Sequence, residues 1–337
     1  MHDSSILSQA EGRIGTGEVL KPVPGRARFQ DDDYYIWGAS VVRHEGRFYM
    51  LYARWLRELG HDAWVTHSEL ACATADNPLG PYIHADVVLP ERGGNHWDGL
   101  CTHNPTVHAF DGRYYLYYMG TRGTSQPREY WNFRNNQCIG VAVADHPAGP
   151  WERFDQPVIE GRSESTDTVC CANPTVTRRP DGKYLMIYKA VRKDNPPPFY
   201  GPVVHFAAIA DTPTGPFITQ PGTVFDAQGV DFPAEDPFIW HQDGRYHAIV
   251  KDNNGFFTPH GLALVSFTSD DGFDWSLSDE PFITTPRITW EDGKTEQLLH
   301  LERPQLYLEN DKPVALFCAA DREEGRGHSF NVHIPLR

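Results

Sequence analysis

No run of eighteen apolar residues occurs in this 337-residue sequence, so a helical membrane span is excluded. Basic residues are scarce, 30 against 45 acidic, and the resulting net charge of −15 sets the chain against nucleic acid and anionic membranes as partners. Cysteine is sparse as well. The six thiols (Cys72, Cys101, Cys138, Cys170, Cys171, Cys318) show no CxxC or zinc spacing, and several fall inside apolar runs, so buried free thiols are expected. Residues 1–20 lack a basic start followed by an apolar core, so no secretory signal is read and a cytoplasmic, reduced setting is the expectation. Helical periodicity is missing too, except near Thr295–His300.

What is plentiful is turn chemistry and aromatic residues, with 29 Gly, 27 Pro and 12% Phe, Trp and Tyr, the mixture of an all-β protein. The stretch His103–Thr121 reads as a β-hairpin: a short apolar run, Asp111-Gly112, then an aromatic run of strong strand formers. It recurs at Asn173–Tyr188 around Asp181-Gly182 and at Asp236–Tyr246 around Asp243-Gly244. Weaker copies surround Glu45-Gly46 and Asn310-Asp311. Landmarks Gly46, Gly112, Gly182, Gly244 and Asp311 are separated by 66, 70, 62 and 67 residues, so five units fill the chain. A second turn closes each unit's latter half: Asn77-Pro78-Leu79-Gly80-Pro81, His146-Pro147-Ala148-Gly149-Pro150, Thr212-Pro213-Thr214-Gly215-Pro216, with Asp270-Asp271-Gly272 as a variant. Four antiparallel strands per unit make a blade. We therefore expect one domain over 1–337, a five-bladed β-propeller with blades near 31–90, 98–160, 167–225, 231–284 and 300–337. A strand near Ala27–Phe29 is expected to close the ring.

In this topology one face gathers the D–A connections and the B–C loops, the segments that carry function on a rigid scaffold. Aromatics crowd these loops (Trp55, Trp64, Tyr130, Trp131, Phe133, Phe199, Tyr200, Phe256, Phe257), placed either to stack on sugar rings or to cover the loops as satellite cores. Trp97 lies in one D–A connection. Each B strand also ends in a cation: Arg54, Arg122, Lys189, Lys251 and Arg322. Either these pair with carboxylates at the mouth or they hold an anionic sugar. The expectation is that at least two of the five line the mouth and that acidic oligosaccharides are preferred over neutral ones; cations all paired to carboxylates would leave only the first cause.

With the blade pattern, the Gly-Pro-aromatic turns, and the steps Glu235-Asp236-Pro237 and Glu302-Arg303-Pro304, the chain resembles the five-bladed propeller glycoside hydrolases of families 43 and 117. The resemblance implies an inverting, exo-acting glycosidase, on an oligosaccharide that includes anionic or anhydro-sugars among its candidates. It implies Asp98 as general base, Asp236 as the residue that sets geometry and proton affinity, and Glu302 as acid, with His300 as rival acid. The base position of family 43 falls on Asn104-Pro105, and Asn cannot take a proton, hence the choice of Asp98. Asp167 and Asp231 are read as structural. Arg303 replaces the Gly of Glu-Gly-Pro and joins the substrate-binding candidates. His260-Gly261 resembles a step that lies near a central divalent ion, calcium or magnesium, although a lone histidine is more often structural and the chemistry requires no cofactor. A family 130-like phosphorylase and a non-catalytic sugar-binding propeller are the alternatives, and monomer and homo-oligomer both stay open.

Overall fold

The computed structural model describes residues 12–123, 130–162, 164, 166–322 and 327–337. They form five four-stranded antiparallel blades arranged as a propeller. Blade 1 runs through Tyr34–His44, Arg47–Leu56, Glu69–Ala75 and Ile83–Leu89. Blade 2 comprises Cys101–Phe110, Arg113–Thr121, Cys138–Ala144 and Glu152–Arg153. Blade 3 comprises Thr168–Arg178, Tyr184–Arg192, Val203–Ala210 and Ile218–Thr219. In blade 4 the strands are Ala234–Gln242, Arg245–Asp252, Ala263–Ser269 and Ser276–Thr284. Blade 5 takes His300–Glu309, Lys312–Asp321 and Ser329–Pro335 from the end of the chain, and its outer strand, Arg28–Phe29, from the beginning. The expected ring closure is present.

The A–B hairpins explain the repeat. In blades 1, 2, 4 and 5 two-residue turns join paired strands, and Glu45-Gly46, Asp111-Gly112, Asp243-Gly244 and Asn310-Asp311 all have positive φ, the twist-matched geometry of such turns. Blade 3 differs, because Arg178 pairs with Tyr184 across a wider loop that contains Pro180. Blade-to-blade packing is apolar and reinforced near the axis by a repeated hydroxyl. Val107 N–H donates to Ser40 Oγ at 2.9 Å, Ile239 N–H donates to Thr175 Oγ1 at 3.0 Å, and the Thr106 hydroxyl donates to Pro174 O at 3.0 Å. All six cysteines are buried free thiols, as expected.

Two departures follow from local competition. Thr295–His300 is not helical: Thr295–Gln297 pairs with Arg287–Thr289 as a small hairpin, and His300 begins the inner strand of blade 5. Tertiary pairing overrides a few residues of helical spacing. The B–C loops of blades 1 and 2 carry unexpected single helical turns, Trp64–His67 and Tyr130–Arg134. Ser165 and residues 124–129 lie outside the described residues.

Candidate active site

Every inner strand carries an irregularity at the same place. Gly38, Asn104, Asn173, Asp236 and Arg303 adopt φ of 53°, 51°, 53°, 53° and 53°, and the pairing of each inner strand with its neighbour shifts there. Such a bulge re-aims the adjacent side chains. The residues just before it are Trp37, His103, Ala172, Glu235 and Glu302, and four of these five line one central cavity of about 570 Å³. The bulge residues themselves make a chain around the axis. Asn104 Nδ2 donates to Asn173 Oδ1 at 2.7 Å, and Asn173 Nδ2 donates to Asp236 Oδ1 at 2.6 Å. The Arg303 backbone N–H donates to Asp236 Oδ2 at 3.2 Å, and the fully buried Arg303 guanidinium lies 3.5 Å from Asp236 Oδ1. At Gly38 of blade 1 it is the positive φ that favours glycine, since a Cβ there would meet Asn104 and Arg303 only at ordinary contact distances of 3.6 and 3.8 Å.

The cavity floor is a charge network. Lys189 Nζ donates to Glu235 Oε1 at 2.7 Å, while Lys251 Nζ reaches Glu235 Oε2 at 3.1 Å and Glu302 Oε1 at 2.5 Å. Burial alone raises a carboxyl's proton affinity, but Lys189 and then Lys251 outweigh it and hold Glu235 far below the usual carboxylate range. Asp236 shifts the other way, raised first by burial and then by the adjacent Glu235 charge. Lys251 is raised, because Glu302 and then Glu235 outweigh the effect of its burial. His103 is held neutral, its affinity lowered by burial and then by Arg303. Its ring stacks on Trp64 with centroids 4.9 Å apart, and its Nδ1 lies 2.7 Å from Ser68 Oγ. Trp55, Trp64, Tyr130, Trp131, Phe199 and Tyr200 contribute to the walls.

Asp236, Glu302, Lys189, Lys251 and Trp131 are thus brought together as the sequence suggests. Asp98 is not. Its carboxylate is fully buried within blade 2, gripped by Arg92 at 2.6 Å, Tyr118 at 2.7 Å and Arg153 at 3.5 Å, and it does not line the cavity. Trp97 stays with it, its ring tilted against Tyr118 with centroids 5.2 Å apart and its Nε1–H donating to Phe154 O. Neither lines the cavity where a base or sugar platform would be needed, and Arg92 and Arg153 already serve the Asp98 carboxylate. His300 bonds to Asp321 at 2.8 Å and also misses the cavity. Arg54 pairs with Glu69, and Arg322 with Glu296; Arg122 is exposed in a separate depression beside Asn95. His260 is exposed, packed against Phe282 away from the cavity, and no cluster of three or more metal-ligating side chains occurs among the described residues. Among the aromatics, Phe133 packs inward near Gly123 and Phe257 against Phe267, which makes those two satellite core.

Glu235 is the principal residue that sequence reasoning missed. Aligning Glu235-Asp236-Pro237 with Glu302-Arg303-Pro304 puts the two glutamates in register, and that signal could have found it. Arg134 also lines the cavity, with no repeat signal to mark it.

The fold and its site define a five-bladed propeller with an acidic, aromatic-walled axial cavity. No known family profile matches the chain. Solved structures of similar fold include a family 117 glycoside hydrolase from the marine bacterium Zobellia galactanivorans, with 16% identity, TM-score 0.66, and 95% of this chain and 90% of that one covered. Another is a family 43 beta-xylosidase/alpha-arabinofuranosidase from a compost microbial metagenome in complex with xylotriose, with 16% identity, TM-score 0.59, and 95% and 94% covered. The chain therefore shares the fold of the propeller glycoside hydrolases. In sequence, it is 28% identical over 158 residues to the extracellular endo-alpha-(1->5)-L-arabinanase 2 of Bacillus subtilis (strain 168). That match covers 44% of this chain and 31% of the relative's length.

Proposed function

We propose that the protein is a glycoside hydrolase that takes the end of an oligosaccharide into the axial cavity, with Glu302 as general acid. The observation that carries this reading is the placement of Glu235, Asp236 and Glu302 together on the floor of a cavity walled by aromatic rings. Glycoside hydrolysis needs two carboxyl groups flanking the anomeric carbon, and aromatic faces suit sugar rings. A volume of about 570 Å³ suits a ligand of a few sugar units. The similarity to an arabinanase and to a xylotriose-bound enzyme supports a pentose-containing substrate.

Charge favours a neutral sugar. Asp62, Asp231, Glu235, Asp236 and Glu302 line the cavity against Arg134, Lys189 and Lys251. Both lysines already serve carboxylates, which is the paired arrangement rather than an anion receptor. The same pairing weighs against a phosphorylase, which needs an uncommitted basic pocket. Turnover should be sought on a panel of neutral and acidic oligosaccharides, with and without inorganic phosphate. Release of reducing sugar from neutral substrates without phosphate is the expected result. Turnover of none of them would overturn the reading.

A further inference from the structure

We infer that Glu235 is the nucleophile of a double displacement in which Glu302 is acid and then base, so that the anomeric configuration is retained. The inference rests on the glycosidase reading above and goes beyond it by naming the second carboxylate and the stereochemical course.

Three observations converge. First, single displacement by water needs a base across the sugar, and the chain supplies Asn104 at one expected place and a sequestered Asp98 at the other. Second, Glu235 and Glu302 occupy equivalent positions in neighbouring blades, each just before the φ 53° residue of its inner strand, and both line the cavity. Third, contacts of 3.1 and 2.5 Å to the single Lys251 Nζ confine their nearest oxygens to less than about 6 Å. A water-mediated inversion holds the carboxyl groups ~6.5–9.5 Å apart, and direct attack ~5–5.5 Å. Nearest oxygens held this close favour direct attack over a water placed between them.

The lysines distribute the roles. Glu235 receives both Lys189 and Lys251, which keeps it an ionised carboxylate ready to attack carbon. In the first step a Glu235 oxygen bonds to the anomeric carbon. The glycosidic C–O bond breaks with its electron pair on the leaving oxygen, which takes the proton of the Glu302 carboxyl. In the second step the Glu302 carboxylate takes a proton from water, the water oxygen bonds to the anomeric carbon, and the ester C–O bond breaks to restore the Glu235 carboxylate. While Glu235 is esterified it bears no charge, so Lys251 attends Glu302 alone and favours the carboxylate that this step requires.

The test uses the full chain and aryl glycosides of L-arabinofuranose and D-xylopyranose, followed by NMR of the first-formed sugar. Retention is expected, and inversion would overturn the pair while leaving the glycosidase reading intact. No turnover of any glycoside would overturn both. Glu235→Gly should lose hydrolysis and, with azide added, yield a glycosyl azide of opposite configuration to the substrate. Glu302→Gly with azide should yield one of the same configuration. The reverse assignment of products, or undiminished hydrolysis by Glu235→Gly, would remove Glu235 from the role. Azide rescue itself reports that a variant folds, and the wild-type NMR decides alone if one does not.

Discussion

Glu302 and Asp98 show how far single residues could be read. Both are acidic, Asp98 just before one inner strand and Glu302 near the start of another, yet Glu302 meets the cavity and Asp98 meets Arg92 and Arg153. Nothing local in the sequence announces that difference, because the arginines lie 6 residues before Asp98 and 55 after it. Glu302→Gln keeps shape but cannot protonate a leaving group, so turnover of a natural oligosaccharide should fall ~10²–10⁴-fold, and less for an activated aryl glycoside. Comparing kcat for the two substrates checks it. Asp98→Asn should leave kcat nearly unchanged but cost about 3–5 kcal/mol in a denaturant melt, since it strands two partly buried arginines. Loss of activity in a variant of normal stability would restore Asp98 to the mechanism. Glu235 adds a pH signature. Its folded-state proton affinity is lowered, so its stabilisation is complete above its unfolded pKa of about 4.3 and is lost as pH falls further. Lys251 is raised, so its contribution is lost only in alkali, above about pH 10.4. Glu235→Gln should therefore flatten the acid limb of stability against pH, measured by melts between pH 3 and 7, without steepening it near neutrality.

At the scale of elements, the hairpins were legible because turn chemistry is local: Asp-Gly and Glu-Gly fit turns in which both residues have positive φ. The Tyr130–Arg134 helical turn and the Arg287–Gln297 hairpin were not, since tertiary contacts rather than periodicity hold them. The inner-strand bulge lies between these cases. Its X-Pro step repeats in blades 2 to 5, but its role in pointing Glu235 and Glu302 at the axis becomes visible only in the pairing. Asn173 is the link to test. Asn173→Ala would put a Cβ-bearing residue with no side-chain amide at φ 53° and cut the bonds to Asn104 and Asp236. Asn173→Gly cuts the same bonds without the backbone cost. Both should reduce kcat by loosening Asp236, and the alanine variant should be less stable than the glycine variant by about 1–2 kcal/mol. Equal stabilities in a urea titration would show that the backbone is not strained there.

On the scale of the whole molecule, the repeat could be counted from the sequence and the closing strand placed near Ala27–Phe29, because the last unit runs out of chain before its fourth strand. Arg28 and Phe29 pair with Val332 and Asn331, and His333 N–H donates to Ala27 O at 2.9 Å. Val19 N–H donates to Arg337 O at 2.8 Å, and Arg28 lies over Trp290 and Phe330 at 4.4 and 4.9 Å. Ile14, Val19, Val23 and Phe29 are all buried; Ile14 and Val23 belong to the apolar core of the last two blades, and Phe29 to the one between blades 1 and 5. At ~1.5–3 kcal/mol for each such side chain, the segment contributes about as much as the whole net stability of a typical protein, ~5–15 kcal/mol. Its removal would also bare the Ser329–Pro335 strand as an open edge, a template for pairing with other chains. A chain that starts at Gln30 should therefore aggregate or fail to fold, although all cavity-lining residues are retained. Phe29→Ala, a smaller injury to the same seam, should fold with full kcat and lose about 3–5 kcal/mol in a denaturant melt. If the shortened chain instead elutes as a soluble species with the melting temperature of the parent, blades 1 to 4 and the remaining three strands of blade 5 are self-sufficient, and the closing strand carries none of the stability assigned to it.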